Sequence, residues 1–250
     1  MDDSTDLLWD EDRLRMPHHQ GDKADRVRRM FNAIAPTYER INRWFSGGRD
    51  GYWRRRAVEL AGVGPGDVAL DVACGSGDLA RAMASTKPRR VIGCDFAHDM
   101  LRLARGRGSS AIDYCEADAL ALPLPDGSVT VTGCAFGARN FDDLQAGLSE
   151  MHRVLAPGGR AMILEFTRPT GLLKRAAYEV YAGWIMPVLA SWVARDRTGA
   201  YRYLPRSVVC FADAEQMCRL LSAVGFVEID ATPLTFGVVT VYVARKASDG

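Results

Sequence analysis

The sequence of 250 residues lacks several features that would place it in a common class of protein. No two of its six cysteines form a Cys-x-x-Cys pair, so a zinc site is not indicated and we expect no metal. Its longest charge-free run, 180–194, has 15 residues and contains Pro187, whereas a membrane-spanning helix needs about 20. The formal net charge of +1 gives no strong field that would favour nucleic acid as a partner.

The cysteines also give no sign of a disulfide framework. Cys74, Cys94, Cys115 and Cys134 each lie in or just after an apolar run that is typical of a strand. We interpret them as small apolar residues that repeat with a sheet, in a reduced state that suits the cytoplasm. The N-terminus is polar and has no long apolar stretch, so no signal peptide is indicated and we expect a cytoplasmic protein.

A regular alternation of apolar runs and amphipathic segments begins after about a quarter of the chain. Runs typical of strands, such as 68–73, 91–95 and 129–135, are separated by segments with helical periodicity. This alternation predicts an α/β fold with a mostly parallel, doubly wound sheet. The last two runs, 226–231 and 238–244, are joined by a short connection, so the last of the seven expected strands should run antiparallel.

Three segments stand outside this alternation. Residues 1–24 are polar and predict a flexible arm in front of one domain over 25–250, which begins with helical patterns. An insert at about 170–204 is rich in Trp, Tyr and Leu, and is either a helix packed on the domain or an apolar lid on a membrane surface. The run Arg54-Arg55-Arg56 is either a contact with anionic lipid or a solvated face.

The loop after the first predicted strand carries the strongest functional signal. Its glycines, Gly75 and Gly77, let the backbone turn sharply and approach a ligand closely. Their spacing fits a dinucleotide fingerprint as well as a loop for S-adenosylmethionine. Asp71 and Asp78 flank them, and two carboxylates would repel a pyrophosphate but favour an ammonium and a sulfonium. The loop therefore favours S-adenosylmethionine as the cofactor.

Two further aspartates follow the next strands. Asp95 ends the second predicted strand, where a carboxylate can accept hydrogen bonds from both ribose hydroxyls. Asp118 and Ala119 follow the third strand and suit the adenine amino group and a ring nitrogen. Each aspartate alone is typical of a helix cap or turn, but three at successive strand ends favour a cofactor site.

Several segments together resemble the UbiE/MenG quinone C-methyltransferase family, over about residues 25–245. The most particular of them are Phe136-Gly137-Ala138-Arg139-Asn140, Leu164-Glu165-Phe166 and Tyr201-Arg202-Tyr203-Leu204. The resemblance implies a Rossmann-like class I methyltransferase fold. It also implies transfer of a methyl group to a ring carbon of a polyprenyl quinol, either demethylmenaquinol or the corresponding ubiquinol precursor.

The family pattern places cofactor contacts on Ser76, Asp95, Asp118 and Ala119. The sequence departs from this pattern at Ala135, where the family often has a serine, and at Asp50, where its upstream signature has a histidine. The complete predicted cofactor site comprises Tyr38, Asp71, Gly75, Ser76, Gly77, Asp95, Phe96, Asp118, Ala119 and Ala135.

The predicted catalytic residues are Arg139, Asn140 and Asp50. A phenol has a pKa of about 10, so its hydroxyl needs help to lose the proton and activate the neighbouring ring carbon. The Arg139 guanidinium is our first choice for stabilising the phenolate, with Asn140 orienting the substrate oxygen. Asp50, Asp142 and Tyr201 are alternative proton acceptors. The competing interpretation of Arg139 is an ion pair with Asp142 or Asp143 that fixes the loop.

The resemblance also implies the partners. We expect a lipophilic quinol as substrate and peripheral contact with the inner face of the cytoplasmic membrane, and no nucleic acid. A homodimer is left open, because the sequence does not fix the oligomeric state. Three rival functions are left open too: a methyltransferase for another phenolic or lipid acceptor, an NAD-linked oxidoreductase, and a non-catalytic protein that binds S-adenosylmethionine.

Overall fold

The computed structural model describes residues 8, 9, 14, 22–37, 46–107, 111–167 and 199–248, and only the backbone of Tyr201. Tyr38 of the predicted site lies outside these residues. So does the predicted insert up to residue 198.

Seven strands form one sheet in the order β3-β2-β1-β4-β5-β7-β6. The pairs from β3 to β5 are parallel, whereas β7 is antiparallel to both β5 and β6. This confirms the predicted fold class, including the antiparallel last strand. The strands are β1 Val68–Val72, β2 Arg90–Asp95, β3 Ile112–Glu116, β4 Val129–Ala135, β5 Leu155–Phe166, β6 Phe226–Leu234 and β7 Val239–Lys246.

Seven α-helices connect and precede these strands within the described part of the chain. A short 3-10 turn, Ala138–Asn140, follows β4, and a second one, Thr235–Gly237, joins β6 to β7. The helices are α1 Lys23–Ile34, α2 Asp50–Leu60, α3 Asp78–Ala84, α4 His98–Gly106, α5 Leu144–Val154, α6 Ala200–Val209 and α7 Ala214–Ala223.

Two strands are longer than the sequence indicates. β5 begins at Leu155, directly after α5, and the Pro-Gly-Gly segment at 157–159 lies in an irregularity of its pairing with β4 rather than in a separate loop. β6 continues past Pro233 to Leu234. Because β6 is the edge strand of the sheet, the missing N–H of a proline is tolerated there.

The sheet is buried on both faces, as the apolar strand runs predict. Leu70 and Val72 of β1 pack in one cluster with residues of α5 and α7, such as Leu148 and Leu221. Ala69 lies in a second cluster on the other face, with residues of α2 and α3. The alternation of successive side chains along β1 therefore divides the core into these two clusters.

A third cluster packs α1 against α6. Val27 and Met30 of α1 are buried with Tyr203 of α6, and the ring of Trp9 stacks on Tyr203 with centroids 4.1 Å apart. Trp9 is fully buried, which corrects the expectation of a flexible arm at this residue. Its indole offers a large apolar surface that the polar composition of the arm did not indicate.

The six cysteines are all free in the structure. Cys94 and Cys115 are paired in register on β2 and β3, and their sulfur atoms lie beside each other. No helix in the described ranges is long and apolar enough to cross a membrane.

Gly93 on β2 tests the packing of the sheet. A Cβ at this position would lie 2.7 and 2.8 Å from ring carbons of Tyr114 on β3. The ring of Tyr114 is rigid and would have to move as a whole to make room for the added methyl group. We therefore expect Gly93→Ala to lower the free energy of unfolding by about 1–3 kcal/mol, as measured in urea titrations. Gly66→Ala is the matched control, because a Cβ there meets no atom within 4 Å. Equal stabilities of the two variants would contradict this packing.

Candidate functional site

A cleft opens where the carboxyl ends of β1 to β4 meet, at the switch in strand order between β1 and β4. With its open mouth included, the cleft contains about 880 Å³ of space that no atom of the protein fills. Ala24 and Phe31 of α1 contribute to its wall. Eight residues of the predicted cofactor site line it: Asp71, Gly75, Ser76, Asp95, Phe96, Asp118, Ala119 and Ala135.

The glycine loop turns sharply between β1 and α3. Gly77, directly before α3, has a φ of +79°, a conformation that side chains with a Cβ rarely adopt. A Cβ there would also collide with the hydroxyl of Tyr114. Gly77 is not part of the cleft wall itself, and its conformation shapes the loop that is.

Asp71 is buried near the end of β1 with only one of its two oxygens hydrogen-bonded. Its Oδ2 accepts a hydrogen bond of 2.8 Å from the Ala80 amide of α3. Its Oδ1 is buried and accepts no hydrogen bond from any described residue. Burial raises the pKa of Asp71 to about 8, against the smaller opposing effect of the Ala80 hydrogen bond. A cationic donor at Oδ1 would satisfy this carboxyl group and restore its charge.

Asp95 ties the glycine loop to β2. Its two oxygens accept hydrogen bonds from the amides of Gly75, at 2.7 Å, and Ala97, at 2.8 Å. Burial raises the pKa of Asp95 to about 6, although these hydrogen bonds oppose the change. Each carboxylate oxygen has a further lone pair, so Asp95 can still accept from a ligand hydroxyl.

Asp118 is both a turn residue and part of the cleft wall, the two possibilities that the sequence left open. Its Oδ1 accepts a hydrogen bond of 2.9 Å from the Leu120 amide, as a turn residue does. It also lines the cleft beside Ala119. The turn therefore holds the Asp118 carboxylate at the wall of the cleft.

Asp78 does not contribute a free charge, which corrects the sequence argument about the loop. It pairs with Arg81 at 2.5 Å and with Arg107 at 3.2 Å, and it accepts a hydrogen bond from Ser76 Oγ. Two guanidinium groups offset its charge. The preference for a cationic ligand thus depends on Asp71 and Asp95.

Arg139 is buried behind the cleft rather than in its wall. It forms an ion pair of 2.9 Å with Glu165 of β5 and donates a hydrogen bond of 2.7 Å to the Phe136 carbonyl. Neither Asp142 nor Asp143 is its partner. The guanidinium thus faces Glu165, and an ion pair of the kind that the competing interpretation expects is formed with Glu165 in place of Asp142 or Asp143.

Asn140 lines the cleft next to Arg139. Its Oδ1 accepts a hydrogen bond of 3.0 Å from the hydroxyl of Tyr203 in α6. Burial raises the pKa of Tyr203, so this hydroxyl stays protonated and remains a donor. The side chain of Asn140 is thereby fixed with its amide group at the cleft.

The three predicted proton acceptors lie in different places. Asp142 lines the cleft, whereas Asp50 does not. Asp50 lies behind Arg54 and pairs with it at 2.9 Å. The side chain of Tyr201 is outside the described residues. Next to Asp142, Lys23 donates a hydrogen bond to the Phe141 carbonyl, and burial lowers its pKa to about 8 against the charge of Asp142.

Sequence reasoning missed Arg54, whose side chain lines the cleft. The run Arg54-Arg55-Arg56 does not act as a unit, because Arg55 is exposed and Arg56 pairs with Glu59. One signal was available: Arg54 falls on the buried stripe of α2 with Trp53, Ala57 and Val58. A lone arginine on an apolar helix face indicates a functional or paired cation.

No group of three His, Cys, Asp or Glu side chains in the described ranges is placed to hold a metal ion. The expectation that the protein needs no metal stays a prediction.

Comparisons with known proteins give a consistent result. A model of the ubiE/COQ5 methyltransferase family matches residues 19–246. A demethylmenaquinone methyltransferase of Thermus thermophilus is 43% identical over 221 residues, which cover 87% of this chain and 100% of that protein. A ubiquinone/menaquinone biosynthesis C-methyltransferase UbiE of Geobacter sulfurreducens is 39% identical and covers 94% of each chain.

The solved structures support the fold. A SAM-dependent methyltransferase of Thermotoga maritima has a TM-score of 0.62 at 19% identity, covering 87% of this chain and 99% of that one. One from Aquifex aeolicus has a TM-score of 0.59 at 15% identity, covering 83% and 97%.

The raised pKa of Asp71 has a measurable effect on stability. Between the unfolded value of about 4 and the folded value of about 8, the native state binds the extra proton, so this group's contribution to stability is lost as pH rises. We expect Asp71→Asn to gain stability relative to the wild type from pH 5 to 8, by at most about 1.4 kcal/mol per pH unit. Urea titrations of the ligand-free protein at several pH values measure the difference.

The exposed Asp113 on β3 provides the control. Asp113→Asn removes a carboxylate at the surface and is compared with the wild type in the same titrations. A difference between Asp71→Asn and wild type that does not change with pH would mean that Asp71 is ionised throughout this range.

Proposed function

Because the chain belongs to the ubiE/COQ5 methyltransferase family, we propose that it methylates a ring carbon of a demethylated polyprenyl quinol. The chain is an S-adenosylmethionine-dependent methyltransferase. The assignment of the substrate rests on one observation. The chain is 34 to 43% identical, over most of its length, to proteins named demethylmenaquinone methyltransferase. They favour demethylmenaquinol over the ubiquinol precursor as the acceptor.

The cleft fits the cofactor. Asp71 Oδ1 is a buried acceptor that a cationic amino group would satisfy. Asp95 and Asp118 lie farther along the same cleft, where a ribose and an adenine would follow. We propose that the residues named for this site on the sequence, Tyr38 included, surround the cofactor. When bound, the cofactor supplies an electrophilic methyl group on its sulfonium.

The remaining wall of the cleft is suited to an aromatic acceptor. Phe31, Leu122, Phe136 and Phe141 line it. These apolar side chains would bind a quinol ring and exclude water from the reacting atoms. Excluding water also raises the strength of the few polar contacts that orient the acceptor.

We assign the orientation of the acceptor oxygen to Asn140. Its amide lies at the cleft and is fixed by the hydroxyl of Tyr203. Asp142 is the proton acceptor that we retain, because it lines the cleft whereas Asp50 does not. Removing the hydroxyl proton makes the ring carbon nucleophilic.

Arg139 becomes a positioning residue in this proposal. Phe136 has a φ of +60°, which is unusual for a bulky residue. Its carbonyl accepts hydrogen bonds from both Arg139 and Asn140. The Arg139–Glu165 pair therefore fixes the turn that presents Asn140.

Contact with the inner face of the cytoplasmic membrane, a cytoplasmic location and a homodimer stay predictions. The first of these follows from the lipophilic substrate, since a prenyl tail resides in the bilayer.

Turnover of defined acceptors tests the proposed function. Purified protein with S-adenosylmethionine should methylate short-tailed demethylmenaquinol, and more slowly a tail-less phenol, with product measured by mass spectrometry. A ubiquinol precursor tests the second acceptor class. If the protein binds S-adenosylmethionine but methylates none of the quinols, the proposed substrate is wrong.

Substitution of Asn140 tests the acceptor side. We expect Asn140→Ala to lower kcat about 100-fold, because the acceptor oxygen loses an oriented partner, and to leave the KM for the cofactor unchanged. Tyr203→Phe should have a smaller effect in the same direction. Ser149→Ala, on the exposed face of α5, is the control. An unchanged kcat for Asn140→Ala would exclude this role.

A further inference from the structure

Arg54 is the one buried cation of α2, and the chemistry assigned above does not use it. Its side chain is only 6% exposed, yet it lines the same cleft as Asp71. The cost of burying a guanidinium is high unless it is paired or binds a ligand.

Two contacts hold the Arg54 guanidinium in place. Its Nη1 donates a hydrogen bond of 2.9 Å to Asp50 Oδ2, and Asp50 in turn accepts one of 3.1 Å from Ser46 Oγ. Its Cζ lies 5.3 Å from the ring centroid of Phe136, a cation–π contact. The other nitrogens of Arg54 donate to no described residue, so donors remain for a ligand in the cleft.

Arg54 and Asp71 carry opposite charges in the same cleft but do not form an ion pair with each other. Arg54 is near enough for its charge to lower the pKa of Asp71, against the larger effect of burial. The two side chains thus suit one ligand that has both an anionic and a cationic group. An α-amino acid has this arrangement, with its carboxylate and ammonium on one carbon.

We propose that Arg54 binds the α-carboxylate of the amino-acid end of the cofactor, while Asp71 Oδ1 accepts from its ammonium. This inference rests on the proposed function, since it takes S-adenosylmethionine as the ligand of the cleft. A quinol carries neither charge, so the acceptor cannot satisfy the pair. Planar donors of arginine match a carboxylate in a way that lysine does not.

The proposal also assigns a role to Asp50. Instead of accepting a proton from the substrate, it fixes the guanidinium of Arg54 one helical turn away. The aspartate that stands at position 50 in place of the family histidine then helps to hold the cofactor, through Arg54.

Calorimetric titration with three ligands tests the proposal. S-adenosylhomocysteine has both charged groups, its decarboxylated analogue keeps only the amine, and 5′-methylthioadenosine lacks both. We expect Arg54→Met to weaken binding of S-adenosylhomocysteine about 10- to 100-fold, as loss of a charged hydrogen bond does. Binding of the two ligands without a carboxylate should change little. Arg55→Met, at the exposed neighbour, should leave all three affinities unchanged.

Thermal melts establish that each variant is folded. If Arg54→Met does not fold, Arg54→Lys decides the question, since it keeps the charge and should weaken only S-adenosylhomocysteine. Equal losses for all three ligands, or no loss for S-adenosylhomocysteine, would overturn the role of Arg54 while leaving the proposed function intact. Failure of the wild type to bind S-adenosylhomocysteine would overturn both.

Discussion

The carboxyl group of Asp71 lies near the end of the interior strand β1. One of its oxygens is bonded to the Ala80 amide, and the other has no partner among the described residues. Such a group is costly to bury, and its raised pKa reflects that cost. The position is fixed by the fold, since β1 is covered on both faces and ends at the switch in strand order. A ligand with a cationic donor at this oxygen would offset the cost, as the proposed function requires.

Two polar contacts hold other parts of the site in fixed positions around Asp71. Asp95 bonds the amide of Gly75, so the end of β2 and the glycine loop keep one relative position. Arg139 and Glu165 do the same for the acceptor side, between the turn after β4 and the end of β5. Removing either partner of this pair would leave a buried charge, at a cost of about 3–5 kcal/mol. In the proposed function, both contacts position groups that line the cleft.

Local patterns were enough to predict the sheet, its antiparallel last strand, and the placing of Asp95 and Asp118 at one edge. Each of these depends on periodicity or on residues near in sequence. The partners of charged side chains could not be predicted in this way. Glu165 lies 26 residues beyond Arg139, and Arg107 lies 29 residues beyond Asp78, so only the folded topology brings them together. The burial of Arg54 was not predicted for a different reason. Arg54 is followed by two more arginines, so the sequence was interpreted as a charged run and not as one arginine on the apolar face of α2.

A crystal structure of the protein with S-adenosylhomocysteine would test the central claim most directly, because it locates the amino group of the ligand. The account predicts that this nitrogen lies within hydrogen-bond distance of Asp71 Oδ1, with the ribose hydroxyls at Asp95. A ligand bound in the cleft with its amino group elsewhere, and Asp71 Oδ1 still without a donor, would contradict it.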